Sequence, residues 1–127
     1  MKVNTHLKID NALCGKVTKI EEHYTQVLLH TRAVMSVDEQ GLVHGGFIFG
    51  SADYAAMVAV NDPYVVLGSA QTKFIAPVSV GDVVRFEAHV LEHKGRKNEV
   101  EVKAFVKEKL VFKGHFTTFV LENHVLV

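Results

Sequence analysis

The sequence predicts an α+β fold in which a curved antiparallel sheet wraps around one long central helix. Two observations carry that prediction. Residues 43–61 read as a helix whose apolar and small side chains lie all round the cylinder, the pattern of a helix buried by its surroundings. The last third of the chain alternates apolar and polar residues in runs joined by short turns, which makes an antiparallel meander. No second long helix is available, so the sheet itself must supply the cover.

Taken in order, residues 7–13 predict a short helix stopped at Cys14-Gly15. Residues 15–22 alternate weakly and predict a first strand. Residues 24–34 predict a second, with Val27, Leu29, Thr31 and Ala33 on one face. A polar connector, 35–41, leads into the helix. Asn61-Asp62-Pro63 breaks the chain, and 65–75 predicts a third strand closed by Pro77. After the turn at Val80-Gly81-Asp82, the residues Val84, Phe86, Ala88 and Val90 alternate with polar neighbours. A turn at 94–98 follows, then Val100, Val102, Ala104 and Val106, a tight turn at 108–109, and a last strand over 110–121.

Composition sets bounds on function. The chain has 127 residues, of which 48% are hydrophobic and 22% charged, so one globular domain over 1–127 is expected. Lys plus Arg and Asp plus Glu number 14 each, so there is no electrostatic argument for nucleic acid or a membrane surface as partner. Cys14 is the lone cysteine, which rules out an intramolecular disulfide and argues against a thiolate metal cluster. A reducing cytosol is the simplest compartment. The first residues lack the apolar core of a signal peptide. Residues 41–60 are long enough to raise the membrane question, but His44, Asp53 and the glycines argue against it.

The helix holds the chemistry. Gly45 and Gly46 stand at its start, where free N–H groups and the positive end of the helix dipole are open to a ligand. Asp53 is the only acid or base between His44 and Asn61. A carboxylate on a buried helix is costly unless it is hydrogen-bonded, paired or used. Eight residues separate Gly45 from Asp53, roughly 12 Å along the axis, too far to act on one carbonyl from the same helix. A shared site would need a second copy of the helix, hence a dimer with composite sites.

The run Gly41-Leu42-Val43-His44-Gly45-Gly46, with Asp53 nine residues after the histidine, followed by Tyr54-Ala55-Ala56, resembles the H-G-G acyl-CoA thioesterases of the hotdog fold, the 4-hydroxybenzoyl-CoA and phenylacetyl-CoA type. The resemblance continues in Phe74-Ile75-Ala76-Pro77, in Gly81-Asp82 and in Lys94-Gly95-Arg96, and covers about residues 15–121. It implies a homodimer or homotetramer that hydrolyses an acyl-CoA thioester with no cofactor or metal. By resemblance the Gly45 N–H polarises the thioester carbonyl, with His44 and Gly46 shaping the same turn. Asp53 of the other subunit acts as nucleophile or general base.

Gln40 is the one amide shortly before the motif, and Ser69 and Thr72 are the hydroxyls on the following strand; all three are candidate substrate-binding residues. Lys94 and Arg96, with Lys97, make a basic turn suited to the phosphates of coenzyme A. Phe47, Phe49 and Met57 are core residues that could overlap an acyl tunnel. His89 and His93 are four apart on a strand, roughly 13 Å, too far to share a metal. The competing reading is a non-catalytic acyl-CoA or malonyl-CoA binding module, similar to the sensor domains of lipid-gene repressors. A hydratase of the same fold ranks last, since neither Pro63 nor Pro77 neighbours His44.

Overall fold

In the computed structural model, which describes residues 1–127, six antiparallel strands form one sheet in the order β1-β2-β4-β5-β6-β3. The strands are β1 (Lys16–Glu21), β2 (Tyr24–His30), β3 (Val65–Phe74), β4 (Val83–Lys94), β5 (Lys97–Val106) and β6 (Lys109–Val120). The predicted meander is β4-β5-β6, and β1 and β3 are the sheet edges. The long helix α2 (Gly45–Val60) lies in the concave face against β2, β4 and β5. This is the hotdog fold.

Small side chains let the helix and sheet approach closely. Ala52, Ala55, Ala56 and Ala59 are buried against Val27, Leu29, Phe86, Val100, Phe112 and Phe116. Burying each such phenylalanine contributes about 1.5–3 kcal/mol relative to leaving it exposed.

Local chemistry moves several predicted boundaries. The first helix, α1 (Asn11–Cys14), is one turn instead of 7–13, because Asp10 caps it: its carboxylate accepts the N–H of Ala12 and of Leu13 at 2.9 and 3.2 Å. The second strand ends at His30 rather than 34, and Ala33–Met35 forms a 3₁₀ turn. Val27, Leu29 and Thr31 face inward as expected, whereas Ala33 is exposed. The turn expected over 94–98 shrinks to Gly95-Arg96, with Gly95 at φ +62°, so Lys94 and Lys97 pair.

The helix is not covered all round. Gly46 is exposed, and Phe49, Gly50 and Asp53 are only half-buried. At i, i+3/i+4 and i+7 they lie along one strip of the helix that is less covered than the rest, with the Phe49 ring packed on Phe116 of β6 at 5.7 Å. A Cβ placed on Gly50 would meet nothing within 4 Å.

The start of α2 is pinned by backbone hydrogen bonds. The His44 N–H donates to Met35 O at 2.9 Å, and the Val43 N–H donates to Val78 O at 2.8 Å. The Val80 N–H in turn reaches Gly41 O at 2.8 Å. The connector before the helix and the segment after β3 are thus tied together, and both are held where the helix begins.

Candidate active site at the helix N-terminus

His44 caps α2. Its Nδ1 accepts the Gly46 N–H at 2.6 Å, so in the neutral ring the proton sits on Nε2. The cap leaves room for no side chain at the next position but one: a Cβ on Gly46 would lie 2.7 Å from His44 Nδ1 and 2.8 Å from Cε1.

With Gly46 taken by the cap and Phe47 donating to His44 O, the Gly45 N–H is left over. At the first helical position it has no intrahelical acceptor, and no other carbonyl or side chain of the chain takes it. Gly45 lies at a pocket of about 310 Å³. Leu42, Ile48, Phe74, Pro77, Val78 and Val111 are among its walls, and no charged side chain lines it. The Phe74 ring packs over Gly45, 3.3 Å from where a Cβ would stand, and meets Phe112 edge-on at 5.2 Å.

Asp53 sits two turns further along, roughly 12 Å up the axis. Its Oδ1 is buried without a hydrogen-bond partner, and it is in no ion pair. Burial alone pushes its carboxyl up to about 6. Burial likewise raises the Cys14 thiol, and the carboxylates of Asp10 and Asp53 raise it further, which places α1 beside this acid. An unpaired carboxyl poised near neutrality on the less covered strip of a helix has the properties of a general base or nucleophile.

The other predicted site residues are dispersed. Gln40 is exposed on the connector, held through its own N–H to Asp38 Oδ1 at 3.0 Å. Ser69 follows a bulge in β3, is exposed and faces Thr117, whereas Thr72 is half-buried and faces Gly114. Lys94 ends β4 and Arg96 lies in the β4–β5 turn. Arg96 pairs with Glu122 and shares a depression with Val60, the last residue of α2. Within one protomer that is roughly 22 Å along the helix from Gly45.

Sequence reasoning missed the pocket walls Ile48 and Val111, and Phe47, Phe49 and Met57 do not line the pocket. The aromatic-x-x-Pro run had marked Phe74 and Pro77 without revealing what they enclose.

The chain is 51% identical over 121 residues to methylthioribose-1-phosphate isomerase of Aquifex aeolicus, an alignment covering 95% of this chain and 26% of that protein. It is 38% identical over 85 residues to the transcription factor FapR of Caldanaerobacter subterraneus, covering 67% of this chain and 42% of that protein. The chain thus spans under half the length of either curated relative. The crystal structure of an uncharacterized protein from Pyrococcus horikoshii superimposes with a TM-score of 0.99 at 50% identity, over 100% of this chain and 98% of that one. The profile of the Thioesterase superfamily matches residues 40–113, a span that holds the capped helix start, Asp53 and the walls of the pocket, and the chain belongs to that superfamily.

Proposed function

We propose that the protein is an acyl-CoA thioesterase, splitting a thioester into a carboxylate and free CoA. The observation that carries this reading is the Gly45 N–H, unengaged at an apolar pocket, on the same helix as an unpaired, half-buried Asp53. The N–H and the helix dipole stabilise the negative charge that develops on the carbonyl oxygen. Asp53 of the partner subunit either takes a proton from the attacking water or attacks the carbonyl itself, forming a mixed anhydride that water then opens. The thiolate of CoA leaves and is protonated. Neither route calls for a metal.

Two features support a composite site. The roughly 12 Å between the two groups is too long for one helix to serve one carbonyl. The half-buried strip of α2 and the unpaired edge of β3 are surfaces that a second copy can cover, giving a homodimer or a homotetramer. In a dimer, Lys94, together with Arg96 once it exchanges Glu122 for a phosphate, is the candidate contact for the phosphates of CoA. The net charge of zero and the single cysteine fit a cytosolic protein, and no helix is long and apolar enough to cross a membrane.

A second reading, an acyl-CoA binding module without turnover, is favoured by the 38% identity to FapR, a transcription factor. Thiol release from an acyl-CoA panel, with Asp53→Asn beside wild type, separates the two. Turnover lost in a folded Asp53→Asn protein supports the enzyme. Binding without turnover in either protein supports the module.

A further inference from the structure

On the reading that a thioester carbonyl meets the Gly45 N–H, that donor works only where the His44–Gly45 peptide aims it. A backbone donor has no rotamer to adjust, so its aim is set by whatever holds the chain ahead of the helix. Misplacement by about 1 Å at such a site can cost ~10²-fold in rate.

A ring of hydrogen bonds holds that stretch of chain, and it closes at Thr31. Thr31 lies one residue past the end of β2 and is only 7% exposed. Its hydroxyl donates to Asp82 O at 2.7 Å, with Ser79 O beside it at 3.1 Å, and accepts the Gly81 N–H at 2.9 Å. The Thr31 N–H donates to the same Asp82 O at 3.0 Å. The turn of residues 79–82 is thereby fastened to the end of β2. On its other side, the Val80 N–H donates to Gly41 O and Val78 O accepts the Val43 N–H, both at 2.8 Å. The next N–H, that of His44, donates to Met35 O at 2.9 Å, and Met35 ends the 3₁₀ turn that begins two residues after Thr31. The path runs from Thr31 through the turn, the connector and His44, and returns to Thr31 along the chain. Gly45 is the next residue.

The bonds that join the turn to β2 and to the connector are backbone to backbone, except those of the Thr31 hydroxyl. Without that hydroxyl the Gly81 N–H has no acceptor in the chain, and the middle of the turn can shift against β2. We propose that Thr31 is the positioning residue of the Gly45 N–H: its hydroxyl fixes the turn, the turn fixes the connector, and the connector aims the donor. Thr31 acts through other residues on a donor that matters most in the transition state, so its loss shows in kcat rather than KM.

The test uses Thr31→Val, which keeps the volume and removes the hydroxyl, and Thr31→Ser, which keeps the hydroxyl. Thr31→Cys, a weaker hydrogen-bonding group of similar size, takes the place of Thr31→Val if that protein does not fold. Thr25→Val is the control: Thr25 is on the same strand, 0% exposed, and its hydroxyl donates to Lys19 O at 2.8 Å. Thiol release is measured with the acyl-CoA that wild type turns over fastest, at a temperature where all variants are folded. Thr31→Val should lower kcat by ~10-fold or more with KM within about twofold of wild type. Thr31→Ser should restore kcat, and Thr25→Val should leave it unchanged even where its melting temperature falls. In a Gly45→Pro background Thr31→Val should cost less than about twofold, because the donor it aims is gone.

An unchanged kcat in Thr31→Val overturns the proposal. So do equal losses in Thr31→Val and Thr25→Val, or losses that multiply in the double variant. Amide NMR spectra read the same link without turnover: the Gly45 and Gly46 signals should move in Thr31→Val and hold in Thr31→Ser and Thr25→Val. If wild type releases no thiol, hydrolysis is refuted and these signals decide alone. Displacement in Thr31→Val then supports the hold on the Gly45 N–H, and unmoved signals overturn it.

Discussion

His44 Nδ1 accepts the N–H of Gly46 at 2.6 Å, and the same ring stands 2.7 Å from where a Cβ on Gly46 would be. The histidine and the second glycine of the motif are therefore one unit, in which the ring occupies the space the missing side chain leaves. His44→Ala should cost about 1 kcal/mol through loss of the cap. Gly46→Ala should cost a similar amount by displacing the ring. In the His44→Ala background the clash is gone, and Gly46→Ala should be neutral or stabilising by up to ~1 kcal/mol through helix propensity. Denaturant melts of the four proteins close the cycle, and additive costs would separate the two residues.

Gly45→Pro deletes the leftover N–H with little harm to the helix. Proline is tolerated at the first helical position. His44, at φ −61° and ψ 130°, already has the extended backbone that a following proline requires. Thiol release should fall ~10²–10³-fold while the melting temperature stays near that of wild type. Gly45→Ala keeps the N–H and only crowds Phe74, so its loss should be much smaller. Equal losses in the two variants would remove the N–H from the mechanism.

Because burial raises the Asp53 carboxyl to about 6, its ionised form is the costly one in the folded protein. The folded state binds more protons than the unfolded one between about pH 4 and 6, so the penalty is absent below that window and complete above it. Asp53→Asn should therefore stabilise the protein at pH 7–8, by up to ~3 kcal/mol, and bring no gain at pH 4. Activity has the opposite need: kcat/KM should rise with pH through about 6 and level off above. Melts and rate profiles over pH 4–8 test both, and a pH-independent rate would exclude Asp53 as base or nucleophile.

Composite sites predict complementation. Gly45→Pro and Asp53→Asn proteins, each inactive alone, should regain roughly a quarter of wild-type activity when unfolded together and refolded as dimers. Half of the dimers are then mixed, and one of their two sites has both groups intact. A site contained in one protomer would show no recovery.

The sequence by itself determined the architecture and marked Gly45 and Asp53 as the candidates for its chemistry. A helix with apolar residues on every side and no helical partner can only be buried by a sheet, and the alternating runs of the meander supplied that sheet. Asp53 was legible because a lone carboxylate among alanines violates the burial rule, and Gly45 because free N–H groups at a helix start are set by local geometry. Tertiary structure decided what depends on residues far apart in the chain. The pocket joins residues near 42–48, 74–78 and 111, a grouping that only the β3–β6 pairing and the clamp between two loops create. The raised carboxyl and the less covered strip around it depend on how far the sheet curls round the helix, and no local pattern encodes that distance. Single-residue effects near a capped helix could be read from the order of amino acids, whereas volumes and desolvation are set by the packing of the whole chain.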